Sequence, residues 1–286
     1  MQKRFFSCVD DIINNRQQNY KSINYYLKNM CASSHIGRRK NQEDSILIME
    51  HPSNKNFKLL AVADGMGGLD FGGKASNIAV YNIINWFVNA PFSYYYTEIE
   101  ILQELKTLMN WIDINIRHTC NAGGTTLSLA IVSSVKTFFI NIGDSRIYTE
   151  FNNHFVQITN DASIAWLKYM NGTIQKKDDI RFHKENNLII SRLGCTKKLL
   201  SIETISLNNN QYDNIFLFTD GITDSVSDND LKRIIDNSSF FDKPRNIIEY
   251  SINNFSLNNK LSSEEYYNEK LGGDDNMSVA ILTRRI

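Results

Sequence analysis

The residues in this chain with the clearest capacity for chemistry are aspartates placed where apolar runs end. Leu59-Leu60-Ala61-Val62-Ala63 runs directly into Asp64-Gly65-Met66-Gly67-Gly68. Ile215-Phe216-Leu217-Phe218-Thr219 runs into Asp220-Gly221, and Phe138-Phe139-Ile140-Asn141-Ile142 into Gly143-Asp144-Ser145-Arg146. A fourth segment, Gly272-Gly273-Asp274-Asp275-Asn276, opens the apolar run Met277 to Leu282. Any one Asp-Gly between apolar runs reads as a turn, because both residues tolerate positive φ. Four together read differently, since Asp64-Gly65 and Asp220-Gly221 lead into helical patterns rather than returning strands. Strand ends gather on one rim of a sheet, so these carboxylates can converge there. Uncompensated, they would repel one another by several kcal/mol, and a divalent cation is the natural counter-charge.

Oxygen donors beside a bare glycine carbonyl such as that of Gly65 suit Mg²⁺ or Mn²⁺ rather than zinc. Cys8, Cys31, Cys120 and Cys195 form no Cys-x-x-Cys pair, and His35, His51, His118, His154 and His183 form no His-x-x-x-His pair. Two such ions about 3.5–4 Å apart can acidify a shared water and clamp a phosphoryl oxygen. The phosphate would also need a cationic fork, for which Arg39 in Gly37-Arg38-Arg39-Lys40-Asn41-Gln42-Glu43-Asp44 is the candidate. A solvated loop charge is the plainer reading of Arg39 taken alone.

The elements that must position these groups follow from patterning. Ile-, Val-, Phe- and Thr-rich runs predict strands over Ser45–Met49, Lys58–Ala63, Thr126–Ser133, Thr137–Ile142, Ile147–Glu150, Asn214–Thr219 and Met277–Leu282. Helical spacing predicts Lys74–Val88, Glu98–Thr119, Leu231–Ile235 and Arg245–Phe255. Strands come in runs and helices in pairs, which favours an α+β layered sandwich over a doubly wound parallel sheet. Residues 1–30 read as a polar, partly helical N-terminal extension, with Ile12, Ile13, Tyr20, Ile23 and Leu27 near helical spacing.

Composition narrows the classes. The 286 residues are 42% hydrophobic and 22% charged, an ordinary globular balance that excludes collagen-like and disordered chains. Lys plus Arg and Asp plus Glu both total 31, so no basic excess marks a nucleic-acid binder. No apolar run approaches the ~20 residues a bilayer needs, so no membrane association is expected. Asp10 and Asp11 interrupt any signal-peptide core, and the scattered cysteines point to a reducing cytoplasm; export without a signal peptide stays open.

Taken in order, these segments resemble the metal-dependent protein serine/threonine phosphatases, the PPM or type 2C family, in its bacterial form. The resemblance rests on Arg39-Lys40-Asn41-Gln42-Glu43-Asp44-Ser45, Asp64-Gly65-Met66-Gly67-Gly68, Gly124-Thr125-Thr126 and Gly143-Asp144-Ser145-Arg146. It continues through a flap-like stretch from Thr159 to Gly194, then Thr219-Asp220-Gly221 and Gly272-Gly273-Asp274-Asp275-Asn276. It implies one domain over 31–286, built as a four-layer αββα sandwich with two central antiparallel sheets flanked by helices.

It further implies two Mn²⁺ or Mg²⁺ ions, with a third, weaker site. Asp64 would bridge both ions, the Gly65 carbonyl would assist, Asp220 and Asp275 would hold one ion, and Glu43 would order water around the other. Asp144, with Asp220, would form the weaker site. Asp44 would orient the attacking water, Arg39 would bind phosphate, and Asn276 would shape the turn at Asp275. The implied reaction is attack of a dimetal-bridged hydroxide on phosphoserine or phosphothreonine in a protein substrate, by a monomer opposing a Ser/Thr kinase. The rival expectations are a non-catalytic phosphoprotein-binding relative and a metallohydrolase of small phosphoesters. Met66 stands where eukaryotic members carry a histidine, and Asp161-Ala162-Ser163 lacks the usual flap histidine. His183, within the flap, reads as structural rather than as a general acid.

Overall fold

The protein is described here by a computed structural model covering residues 21–67, 71–89, 97–194, 200–253 and 273–285. Its strands are β1 (Ser22–Leu27), β2 (Met30–His35), β3 (Ser45–Glu50), β4 (Lys58–Ala63), β5 (Gly65–Met66), β6 (Gly124–Thr125), β7 (Leu127–Val132), β8 (Lys136–Ile142), β9 (Arg146–Phe151), β10 (His154–Gln157), β11 (Glu203–Asn208), β12 (Asn214–Phe218) and β13 (Met277–Thr283). Its helices are α1 (Phe71–Asn89), α2 (Glu98–Thr119), α3 (Ile164–Met170), α4 (Asp220–Thr223), α5 (Asp228–Asp236) and α6 (Lys243–Asn253). One sheet has the order β1-β2-β13-β12-β9-β10 and the other β11-β8-β7-β4-β3, with β5 and β6 forming a separate short ribbon. Neighbouring strands pair antiparallel throughout.

The two sheets stack face to face, and each carries helices on its outer face. This explains why the central strands are apolar at every position although they are antiparallel: both of their faces are covered. Along β4, Leu59, Ala61 and Ala63 face the α1–α2 layer while Leu60 and Val62 face the opposing sheet. Along β12, Ile215 and Leu217 enter the inter-sheet core while Phe216 and Phe218 pack toward α5 and α6. The result is the expected four-layer αββα sandwich. Helix α2 shows how local signals and packing agree. Thr97 caps it in a reciprocal box with Glu100, and Leu105, Met109, Ile112 and Ile116 form its buried stripe.

The helical reading of the N-terminal extension is corrected where it can be followed. Residues 22–27 form the edge strand β1, hydrogen-bonded to β2 in a hairpin. Ile23 and Leu27 lie four apart, a spacing that serves a strand's alternation as well as a helical turn, and the exposed/half-buried alternation of β1 is that of an edge strand. Residues 1–20 lie outside the described residues. Strands β2, β10 and β11 were not expected either. Strand β2 is Met-Cys-Ala-Ser-Ser-His, too small and polar to read as β, yet it is buried because β1 and β13 flank it. Among the described residues, no helix is long and apolar enough to cross a membrane.

Phe139, fully buried on β8 between the sheets, tests this layering. Phe139→Ala should cost about 3–5 kcal/mol, measured as a lower urea midpoint with an unchanged slope.

Candidate functional site

Sheet register decides which chain segments meet. Ser45 at the start of β3 pairs with Ala63 at the end of β4, so Asp44 and Asp64 leave the same rim. Phe218 at the end of β12 pairs with Val279 near the start of β13 and with Arg146 at the start of β9. Asp220, Asp275 and Asp144 therefore emerge together, and β2, ending opposite Met277, delivers Arg38 and Arg39 to that rim.

Their electrostatics record the convergence. Burial pushes the Asp64 carboxyl well above the ordinary range, and Asp220, Asp44, Asp275 and Asp144 push it further. Burial raises Asp144 well above its usual value as well, reinforced by Asp220, Asp161 and Asp224. Asp44 rises to about 7, chiefly through burial, with Asp275 and Asp220 adding to the effect. Hydrogen bonds from Ser278 (2.7 Å) and Thr219 (3.0 Å) to Asp44 Oδ2 partly oppose that rise. The Oδ1 of Asp144 is buried with no hydrogen-bond partner among the described residues. Arg39 supplies positive charge at the cluster. Its Nη2 lies 2.7 Å from Asp275 Oδ2, and its Nε donates to the Asp274 carbonyl at 3.1 Å. Burial alone would lower the Arg39 pKa, but Asp275, Asp220 and Asp64 outweigh it and the net shift is upward.

The backbone around these groups is held from several directions. The Asp64 N–H donates to Thr126 Oγ1 at 3.0 Å, and its carbonyl accepts from the Thr126 N–H and the Thr125 hydroxyl, both at 2.9 Å. That is the physical content of the Gly124-Thr125-Thr126 segment. Asn276 clasps the arginine loop: its Nδ2 donates to the carbonyls of Ile36 and Asn41, and its Oδ1 accepts the Glu43 N–H at 2.7 Å. Its own N–H caps Asp275 Oδ1 at 2.8 Å, so it does more than shape the Asp275 turn. A side chain on Gly221 would strike the Asn276 carbonyl at 2.0 Å, which is why glycine follows Asp220.

Asp44, Asp64, Asp144, Asp220 and Asp275 share one field with Arg39, and Glu43 and Gly65 adjoin them against the start of α1. His183 does not join them. It is buried in the flap, accepts the Glu185 N–H at 3.1 Å on Nδ1, and has Lys168 beside Nε2. Met66 pairs with Gly124 in the β5–β6 ribbon. Gly68 and Gly272 lie outside the described residues. Sequence reasoning missed Thr219, Ser278 and Gly72. The first two are hydroxyls at the ends of apolar runs, a pattern that could have marked them. A Cβ on Gly72 would press on Glu43 Oε1 and the Gly65 backbone, at 2.7 Å from each. It also missed the buried fork in which Arg146 Nε and Nη2 grip Asp161, tying the flap to β9.

These residues fit divalent cations. All donors are oxygen, Asp44, Asp64 and Asp144 are desolvated and repelled by their neighbours, and Asp144 Oδ1 has an unsatisfied lone pair. Among the described residues, no group of three Asp, Glu, His or Cys side chains is arranged to hold an ion alone. Coordination would therefore draw on carbonyls and water, as a site rich in Asp-Gly turns allows.

An αββα sandwich with an acidic rim and Arg39 at its mouth is the frame of a phosphate-directed, cation-dependent hydrolase. The chain belongs to the Protein phosphatase 2C family, whose match covers residues 31–262. It is 26% identical over 252 residues to the serine/threonine phosphatase stp of Listeria welshimeri, covering 87% of this chain and 92% of that one. Its fold matches the serine/threonine phosphatase of Staphylococcus aureus with a TM-score of 0.76 at 22% identity, over 94% and 99% of the two chains. It also matches the catalytic domain of PstP in complex with two manganese ions, with a TM-score of 0.68 at 21% identity over 89% and 96%.

Two outcomes follow. Asn276→Ala, which strands the Glu43 N–H and two carbonyls, should destabilise the protein by about 2 kcal/mol or more in urea titration. Because Asp44, Asp64 and Asp144 have raised pKa values when folded, the folded state binds more protons than the unfolded state. Their destabilising effect is absent below the unfolded value near 3.8 and grows as pH rises through about 7. The rise in melting temperature caused by Mn²⁺ should therefore increase across that window, and scanning calorimetry with and without chelator measures it.

Proposed function

We propose that this protein hydrolyses phosphoserine and phosphothreonine esters on proteins, with two divalent cations, Mn²⁺ or Mg²⁺, as cofactors. The observation that carries this reading is the convergence of Asp44, Asp64, Asp144, Asp220 and Asp275 beside Arg39 at one end of the sandwich, with burial and mutual repulsion acting on the first three. When bound, the cations neutralise that charge and acidify a coordinated water.

The residues that would hold them are Asp64 with the Gly65 carbonyl, Asp220 and Asp275, with Glu43 ordering water beside them. Asp144 would serve a weaker third site. Asp44, fixed at Oδ2 by Thr219 and Ser278, orients the attacking water toward phosphorus. Arg39 is half exposed, so it can exchange Asp275 for the incoming phosphate and hold two of its oxygens. The scheme uses no covalent intermediate, and the serine or threonine oxygen leaves directly. The relatives named as serine/threonine phosphatases support a phosphoprotein substrate and, with it, an opposing Ser/Thr kinase. Free, buried Cys31 and Cys120 are in keeping with a reducing cytoplasm.

Purified protein should cleave a phosphothreonine peptide with Mn²⁺ and lose that activity in chelator. Asp64→Asn and Asp220→Asn should each reduce kcat/KM by roughly 100-fold or more, while Arg39→Ala should act mainly through KM. Activity that survives chelator, or both aspartate changes, overturns the mechanism.

A further inference from the structure

Two serines stand where the core between the sheets is otherwise apolar. Along β2, Met30 and Ala32 face that core, and along β13 so do Ala280 and Leu282. Strand alternation puts Ser34 and Ser278 on the same faces, and the two are paired directly across the strands. Both are buried, and their hydroxyl oxygens lie 2.9 Å apart. A buried hydroxyl costs free energy unless its hydrogen bonds are met, and here they are met in a particular order.

The bonds form a chain with one direction. The Asp44 N–H can only donate, and it reaches Gln42 Oε1 at 3.0 Å. That fixes the amide, so Gln42 Nε2 donates to Ser34 Oγ at 3.0 Å. At the far end, Ser278 Oγ donates to Asp44 Oδ2 at 2.7 Å. A hydroxyl has a single hydrogen. With its own given to Asp44, Ser278 must accept from Ser34, which in turn accepts from Gln42. The order is Gln42 to Ser34 to Ser278 to Asp44, and the Asp44 N–H closes the ring. Thr219 places a second hydroxyl on Asp44 Oδ2 at 3.0 Å and is itself held by the Ser278 N–H at 2.9 Å. Successive donors polarise one another, so each bond toward the carboxylate gains from the one behind it.

We infer that Gln42 and Ser34 are positioning residues for hydrolysis: acting through Ser278, they set the orientation in which the Asp44 carboxylate aims the attacking water. The inference rests on the phosphatase reading and extends it to residues remote from the phosphate. Neither side chain hydrogen-bonds to Arg39, Asp64, Asp220 or Asp275 among the described residues, so their removal spares the groups assigned to phosphate and cations. Orientation matters here because misplacing a reacting group by about 1 Å can cost on the order of 10²-fold in rate.

The test uses full-length protein with saturating Mn²⁺ and a phosphothreonine peptide. Ser34→Ala should lower kcat roughly 3- to 10-fold, the size of one lost neutral hydrogen bond, with KM and the Mn²⁺ requirement unchanged. Introduced into Ser278→Ala, the same change should lower kcat no further, because Ser34 acts only through Ser278. Gln42→Met, at a half-buried position, should also lower kcat. A second readout needs neither cation nor substrate: in chelator, Gln42→Met should speed hydrogen exchange of the Asp44 amide measured by NMR. A Ser34→Ala change that leaves kcat intact, moves only KM, or costs the same in both backgrounds overturns the positioning role. An unchanged exchange rate overturns the part assigned to Gln42. Wild-type protein that hydrolyses no peptide overturns the phosphatase reading, and the positioning role with it.

Discussion

Repulsion between buried carboxylates is the constraint around which this molecule is organised. Asp44, Asp64 and Asp144, with Asp220 and Asp275 close by, would separate if their backbones could yield, because each of the three is desolvated and repelled by its neighbours. They stay together because each begins or ends a segment locked into a two-sided core. The sandwich thus stores an unfavourable arrangement at its rim, and cation binding can relieve it.

The supporting contacts follow from that requirement. Asp64 is held through its backbone by Thr125 and Thr126, which leaves its carboxylate unconstrained by those bonds. Asp44 is fixed through one oxygen by hydroxyls from β13 and the end of β12. Asn276 joins the arginine loop, Glu43 and Asp275 through a single buried amide. These neutral groups orient acids without neutralising them, which keeps the negative potential available to a cation. The buried Arg146–Asp161 fork shows the opposite device: full charge compensation used to anchor the flap.

Much of this was legible in the residues. Strands β3, β4, β7, β8, β9, β12 and β13 carried apolar runs strong enough to be placed within a residue or two, because burial on both faces demands an unbroken run. Helix α2 was equally plain, while α1 begins three residues before the run its spacing predicts. Elements at the edges were not: β10 and β11 are partly exposed and so lack a strong pattern, and β1 fits two periodicities over six residues. Strand β2 was hidden for another reason. Its serines are satisfied across the sheet, Ser34 by Ser278 at 2.9 Å, a partner 244 positions away.

The amino-acid sequence alone determined an α+β layered sandwich, the acidic residues and their order along the chain, because local patterning and motif spacing are properties of neighbouring residues. The αββα layering came with the family resemblance. Only the tertiary structure decided which oxygens face one another, that Arg39 meets Asp275 and that Asn276 is a clasp. Those facts depend on strand register and on contacts between segments far apart in the chain, and no local pattern encodes them.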